Sequence, residues 1–140
     1  MSNERPIAEA LIICDEIINE AGTNKKSLIG TFNSIASVDF PTQHPKICVY
    51  AAMSSGRGEM PAELRCVRVE DQVEIFKAAG MIQFADPNQV VEMSFNFRNV
   101  VFERPALYTF ELLAGDEVLL EKRFHVVAVS PPPQGGGGHL

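Results

Sequence analysis

Apolar and polar side chains alternate without interruption across residues 91–97. The apolar positions are Val91, Met93, Phe95 and Phe97, and the polar positions between them are Glu92, Ser94 and Asn96. Successive side chains of a β-strand point to opposite faces, so this pattern predicts a strand with one buried face and one face in water. On a helix the same side chains would be spread around the axis. The chain is therefore expected to contain a sheet that is covered on one side.

Short apolar runs separated by turn residues continue through the rest of the chain, a pattern typical of a β-sandwich or a β-barrel. Residues 81–84 are expected to continue a strand of residues 73–77 after a kink at Gly80. The other expected strands are residues 8–18, 27–35, 47–53, 64–69, 107–113 and 118–129. We therefore predict an all-β protein, a two-layer antiparallel β-sandwich of eight or nine strands.

A helix competes with a strand at residues 8–18. Leu11, Cys14 and Ile18 fit helical spacing, but β-branched side chains favour a strand, and they stand at Ile12, Ile13 and Ile17. We expect a strand there, apolar on both faces for much of its length. Short helices are expected only within loops such as residues 40–45.

The last two strands are expected to form a hairpin around Gly115. Val118, Leu120, Phe124 and Val126 would share one face of the returning strand, and Lys122 falls on that face too. Either Lys122 lies beyond the core or a β-bulge shifts the register.

The length of 140 residues fits one domain, expected at residues 1–129. Residues 130–140, rich in proline and glycine, are expected to form a flexible tail. The net charge of −6 disfavours nucleic-acid binding and anionic membrane surfaces. No apolar run approaches the roughly 20 residues that span a bilayer. We predict a soluble, cytoplasmic protein.

Three cysteines, Cys14, Cys48 and Cys66, lie inside apolar runs, as buried reduced thiols do. Neither they nor the isolated histidines have the spacing of a zinc site. Asp39 and His44 share a loop and could supply two ligands, although turn chemistry also explains them. We predict no metal, no other cofactor and no catalytic residue.

Loops offer the remaining candidate binding residues. Residues 54–59 hold two glycines, hydroxyl groups and Arg57, a composition that suits an anion site or a plain connection between strands. Ser55, Arg57 and His44 would form a ligand site if the fold brought them to one end of the sandwich.

The segment before Tyr108 resembles the corner that precedes a late strand in immunoglobulin-like sandwiches. In that corner the tyrosine hydroxyl bonds to backbone upstream. Ala106 stands where glycine is usual, Phe110 stands at the second cysteine position, and the chain has no tryptophan. The resemblance therefore implies an immunoglobulin-like architecture and not an antibody domain.

Residues 10–15, residues 28–32 and the corner at residues 105–110 also resemble a family of small bacterial proteins catalogued as a domain of unknown function. These matching segments are hydrophobic and structural, so the resemblance implies no activity. It implies a bacterial, cytoplasmic setting.

Two functional hypotheses follow. The first is a non-catalytic binding or protein-interaction module, which associates with itself or with another protein through sheet edges or exposed loops. The second is a small enzyme or a small-ligand protein that uses Ser55, Arg57 and His44. The second hypothesis fails if Arg57 and His44 lie at opposite ends of the sandwich.

Overall fold

A computed structural model describes residues 5–132 of the chain and contains nine β-strands and no helix within them. The strands are β1 (Ile7–Asn19), β2 (Lys26–Thr31), β3 (Ser34–Ser37), β4 (Thr42–Ser54), β5 (Gly58–Arg68), β6 (Val73–Phe84), β7 (Val90–Phe102), β8 (Ala106–Ala114) and β9 (Glu117–Ala128). The prediction of an all-β protein with eight or nine strands is confirmed. The predicted tail lies largely outside the described residues.

The strands form two sheets. One has the order β2-β1-β4-β7 and the other has the order β3-β9-β8-β5-β6. Their pairs are antiparallel except for β3, which runs parallel to β9. The prediction of a purely antiparallel sandwich is therefore wrong at this pair, because the chain enters β3 after crossing from one sheet to the other.

One hydrophobic core joins the two sheets. The largest fully buried side chains come from both of them and include Tyr108, Phe102, Phe110, Phe124 and Ile13. The ring of Phe97 in β7 stacks against the ring of Phe110 in β8, on the other sheet, with 6.0 Å between the ring centroids. The alternation that predicted β7 has its expected cause, since Phe95 and Phe97 are buried while the polar residues between and beside them are exposed.

Three local predictions differ from the structure. Residues 27–35 do not form one strand: Phe32 donates to the Ile13 carbonyl, and the Asn33 carbonyl accepts from His125, so the chain changes sheet between them. Residues 40–45 contain no helix, since β4 begins at Thr42. Gly80 causes no break, because β6 passes through it without a change of register.

A β-bulge in β9 changes which residues share the face of Lys122. The register against β8 shifts between Leu120 and Val118, which leaves Leu119 as the extra residue. Leu119 packs partly against the core, whereas Val118 is exposed. From Leu120 to Val126 the register is constant, so Lys122 stays on the face of Phe124, opposite Phe110, and is only partly buried. The predicted bulge exists, but it moves Val118 and not Lys122 off the shared face.

Candidate functional site

The three predicted site residues are not brought together. His44 lies near the start of β4, whereas Ser55 follows its last residue and Arg57 comes two positions later. The register between β4 and β7 is constant along the whole strand, so no bulge shortens it. Eleven residues of strand separate His44 from Ser55 by roughly 35 Å. The hypothesis of a ligand site made by His44, Ser55 and Arg57 is therefore wrong.

The glycine-rich loop at residues 54–59 serves as a connection between the two sheets. The amide of Ser55 donates to the carbonyl of Pro87 at 3.0 Å, so this group is already bonded within the protein. A Cβ atom on Gly56 would lie 2.6 Å from two ring atoms of the buried Phe84. Gly56 is required because the Phe84 ring packs directly on its backbone.

His44 lines a cleft of about 320 Å³ together with Asp15, Phe32 and Ser34. Its ring centroid is 6.0 Å from that of Phe32. Burial lowers the pKa of His44, and the nearby Asp15 carboxylate opposes this change. The imidazole is therefore biased towards its neutral form at physiological pH.

Asp39 lies before β4 and His44 lies within it, so the two do not share a loop, and they gain no further ligands for a metal. Within residues 5–132, no group of three or more His, Cys, Asp or Glu side chains is placed to hold an ion. The backbone carbonyl of Asp39 accepts a 2.9 Å hydrogen bond from the Ser37 hydroxyl, a contact within the connection between β3 and β4.

All three cysteines are buried free thiols, as predicted. Cys14 and Cys48 face each other across β1 and β4, and the Cys48 thiol donates to the Asn96 side-chain oxygen at 3.0 Å. Burial is the main cause that raises the pKa of Cys14, Cys48 and Cys66. A raised pKa lowers the thiolate fraction, which is the reactive form of a cysteine.

A second cleft, of about 480 Å³, lies between β6 and β7. Two arginines and two glutamates line it, and they are Arg68, Arg98, Glu74 and Glu103. Arg68 makes a forked contact with Asp71, with its Nε and Nη2 atoms 3.0 and 2.9 Å from the two carboxylate oxygens. The mixed charges of this cleft select neither an anion nor a cation.

The second half of β6 forms a sheet edge, and this position was not predicted from the sequence. β6 is the last strand of its sheet, so one side of its backbone has no strand partner among residues 5–132. Residues 78–84 form seven consecutive positions with neither a charged residue nor a proline. Met81 is 62% exposed in the middle of this stretch. The missing charges were a visible signal, but the position at a sheet edge depends on distant pairing.

Hydrogen bonds of β5 reveal which backbone groups of β6 face outwards. Pro61 accepts from Gly115 and Val69 donates to Leu107, so odd-numbered residues of β5 bond towards β8. Bonding directions alternate along an antiparallel strand, so the even-numbered residues of β5 bond to β6. Their partners in β6 are also even-numbered. The outward N–H and C=O groups therefore belong to Lys77, Ala79, Met81 and Gln83.

Other strand edges carry devices that discourage pairing. β7 has Glu92, Arg98 and a left-handed Asn99 with φ of 54°. β2 is only six residues long and contains Gly30 with a left-handed φ of 70°. At the edge of β9, Arg5 donates to the Val118 carbonyl. Beyond Lys77, the described residues of β6 contain no comparable device.

Comparison with family models adds one finding. Residues 9–127 match a family described as "Family of unknown function (DUF6941)". The chain belongs to this family. The DUF6941 match spans both sheets and includes the whole edge of β6. The predicted membership of a domain-of-unknown-function family is thus confirmed, while the bacterial setting stays a prediction. Comparison of this DUF6941 chain with curated proteins finds no match. Residues 5–132 include no helix that could span a bilayer.

Proposed function

We propose that the chain is a non-catalytic protein-interaction module that accepts an added β-strand along the outer edge of β6. The uncharged stretch at residues 78–84, with its outward backbone groups at Ala79, Met81 and Gln83, is the observation that carries this proposal. Edge strands of this kind are templates for strand addition. Main-chain hydrogen bonds would give the affinity, and alternate side-chain positions would give the specificity.

The polar groups of the chain support a binding role better than catalysis. His44 is distant from Ser55 and Arg57, and the thiols have raised pKa values because they are buried. Our proposal extends to a single domain at residues 1–129 with a tail at residues 130–140, in the cytoplasm. An immunoglobulin-like architecture is part of it, supported by the hydrogen bond from Tyr108 to Arg104.

Selection of peptides from a displayed library of random sequences, about twelve residues long, tests the proposal. The full chain is the bait. We expect the selected peptides to be rich in β-branched and aromatic residues, and to shift the backbone NMR signals of Ala79 and Met81. Selected peptides whose shifts map only to other strands would overturn the proposal.

Ala79→Pro is the sharpest variant for this experiment. Proline removes the outward amide of Ala79 but none of the hydrogen bonds between β6 and β5, and proline is tolerated at an edge in this position. We expect peptide affinity to fall about tenfold or more, because a donor is lost and the ring obstructs the incoming strand.

Val38→Lys is the matched control. Val38 is an exposed apolar residue beside β3, at the opposite edge of the same sheet from β6. Peptide affinity should not change in this variant. An equal loss in Ala79→Pro and Val38→Lys would contradict a site at β6.

A further inference from the structure

We infer that the strand added at β6 comes from a second copy of this chain, an inference that rests on the proposed function. Two copies of β6 would pair antiparallel across a two-fold axis and join two five-stranded sheets into one. The argument depends on the regularity of β6, on the sizes of its side chains and on their charges.

The regular part of β6 has a natural centre at Gly80. A β-bulge lies at Ile75, because Cys66 pairs with Phe76 while the next residue of β5, Val67, pairs with Glu74. From Phe76 to Phe84 the register with β5 is constant. Gly80 is the midpoint of this stretch, so a two-fold axis there lets the whole regular part of both strands pair.

Outward backbone groups fit this axis. Odd-numbered residues face the free edge, and an axis at Gly80 places each of them opposite another odd-numbered residue. Ala79 would pair with Met81 of the second copy, and Lys77 with Gln83. Each of these residues would then both donate and accept a backbone hydrogen bond, as an antiparallel ladder requires.

Side-chain sizes are complementary in the same register. Ala79 lies opposite the long side chain of Met81, and Ala78 lies opposite Ile82. At the axis, Gly80 meets Gly80 with no side chain to obstruct the approach. Near the axis, small residues opposite large ones allow the two edges to come together without a clash. At the ends of the paired stretch Phe76 lies opposite Phe84, an aromatic pair of the kind that stabilises antiparallel strands.

Charge is the third argument. Two identical strands repel each other when equal charges lie opposite, and this is a common protection of sheet edges. In the proposed register the one charged residue of the paired stretch, Lys77, faces the neutral Gln83. The Nζ atom of Lys77 also forms an ion pair with the Oε2 atom of Glu63 in its own chain, at 3.7 Å. Self-pairing therefore brings no two equal charges into direct opposition.

Sedimentation velocity of the full chain, from about 1 µM to about 500 µM, measures the association, since small interfaces associate in this range. We expect a species of twice 15.4 kDa to appear as the concentration rises. Met81→Lys should weaken dimerisation about tenfold or more, and Val38→Lys should leave it unchanged. A wild-type chain that is monomeric throughout overturns the inference, as does a dimer equally insensitive to Met81→Lys and Val38→Lys.

Cysteine cross-linking tests the axis itself. A Cβ atom on Gly80 would meet nothing within 4 Å, so Gly80→Cys is expected to fold. We expect copper–phenanthroline to link two Gly80→Cys chains by a disulfide and not to link two Val38→Cys chains. Cross-linking in neither variant, or in both equally, contradicts an axis at Gly80.

The two proposals fail in different ways. If the chain is monomeric but selected peptides bind and lose affinity in Ala79→Pro, the second copy is wrong and the interaction module stands. If neither peptides nor a second copy engage β6, both are wrong.

Discussion

The hydroxyl group of Tyr108 donates a 3.0 Å hydrogen bond to the backbone carbonyl of Arg104, four residues upstream. The Tyr108 ring is fully buried and packs at 5.0 Å from Phe102 and 5.7 Å from Phe124, measured between ring centroids. The Tyr108 side chain thus connects the corner before β8 to the core. We expect Tyr108→Phe to lower the free energy of unfolding by about 1 kcal/mol, the usual value of one hydrogen bond. Urea denaturation measures this change, and an unaltered free energy would contradict the role of the corner.

Acid should weaken the contact between Arg68 and Asp71. The hydrogen bonds from Arg68 are the main cause that lowers the pKa of Asp71 below the ordinary aspartate value of 3.8. A carboxyl group with a lowered pKa in the folded state stabilises the fold above its unfolded pKa, and this contribution is lost as the pH falls through the folded pKa. We expect Asp71→Asn to be less stable than wild type at neutral pH and to approach it below pH 3.8. Asp116→Asn, in the exposed turn before β9, is the control. A difference between Asp71→Asn and wild type that is constant with pH would contradict this account.

Gly56 should not tolerate a side chain. Its Cβ atom would lie 2.6 Å from ring atoms of Phe84, which is only 4% exposed and has little room to move. We expect Gly56→Ala to destabilise the fold by roughly 1–3 kcal/mol, the usual cost of overpacking a core. Thermal unfolding measures the effect. Gly80→Ala is the control, because a Cβ atom on Gly80 meets nothing within 4 Å and Gly80 has no positive φ. Gly22→Ala would not serve, because the positive φ of Gly22 disfavours any side chain. Equal melting temperatures for Gly56→Ala and wild type would show that the Phe84 ring does not constrain the loop.

The thiols should react slowly in the folded protein. Cys14, Cys48 and Cys66 are all buried, and burial raises the pKa of each. We expect Ellman's reagent at pH 8 to modify them only as fast as the protein opens, and to modify all of them rapidly in denaturant. Rapid reaction of one thiol in the native protein would identify a reactive cysteine and reopen a catalytic role.

Local patterns predicted the strands whose environment is set by their own side chains. The alternation at residues 91–97 predicts a strand because Phe95 and Phe97 must face the core. The division of residues 27–35 could not be predicted, because it arises where backbone bonding passes from Ile13 to His125, on different sheets.

The candidate sites show the same division between local and distant causes. β4 continues through Pro45 because Pro45 and Asn99 are not paired in the ladder between β4 and β7, while the register is the same on both sides of them. The resulting long strand places His44 far from Arg57. The edge of β6 depends on the strand order of the complete sheet. The uncharged stretch was visible in the sequence, but its place at the edge was not.

Amide hydrogen exchange of the full chain, measured by NMR at low and high protein concentration, tests the interaction edge most directly. At low concentration the outward amides of Ala79 and Met81 should exchange rapidly, whereas those of Ala78 and Ile82, which bond to β5, should exchange slowly. At high concentration, or with a selected peptide, exchange at Ala79 and Met81 should slow markedly. Rapid exchange at Ala79 and Met81 under every one of these conditions would contradict strand addition at β6.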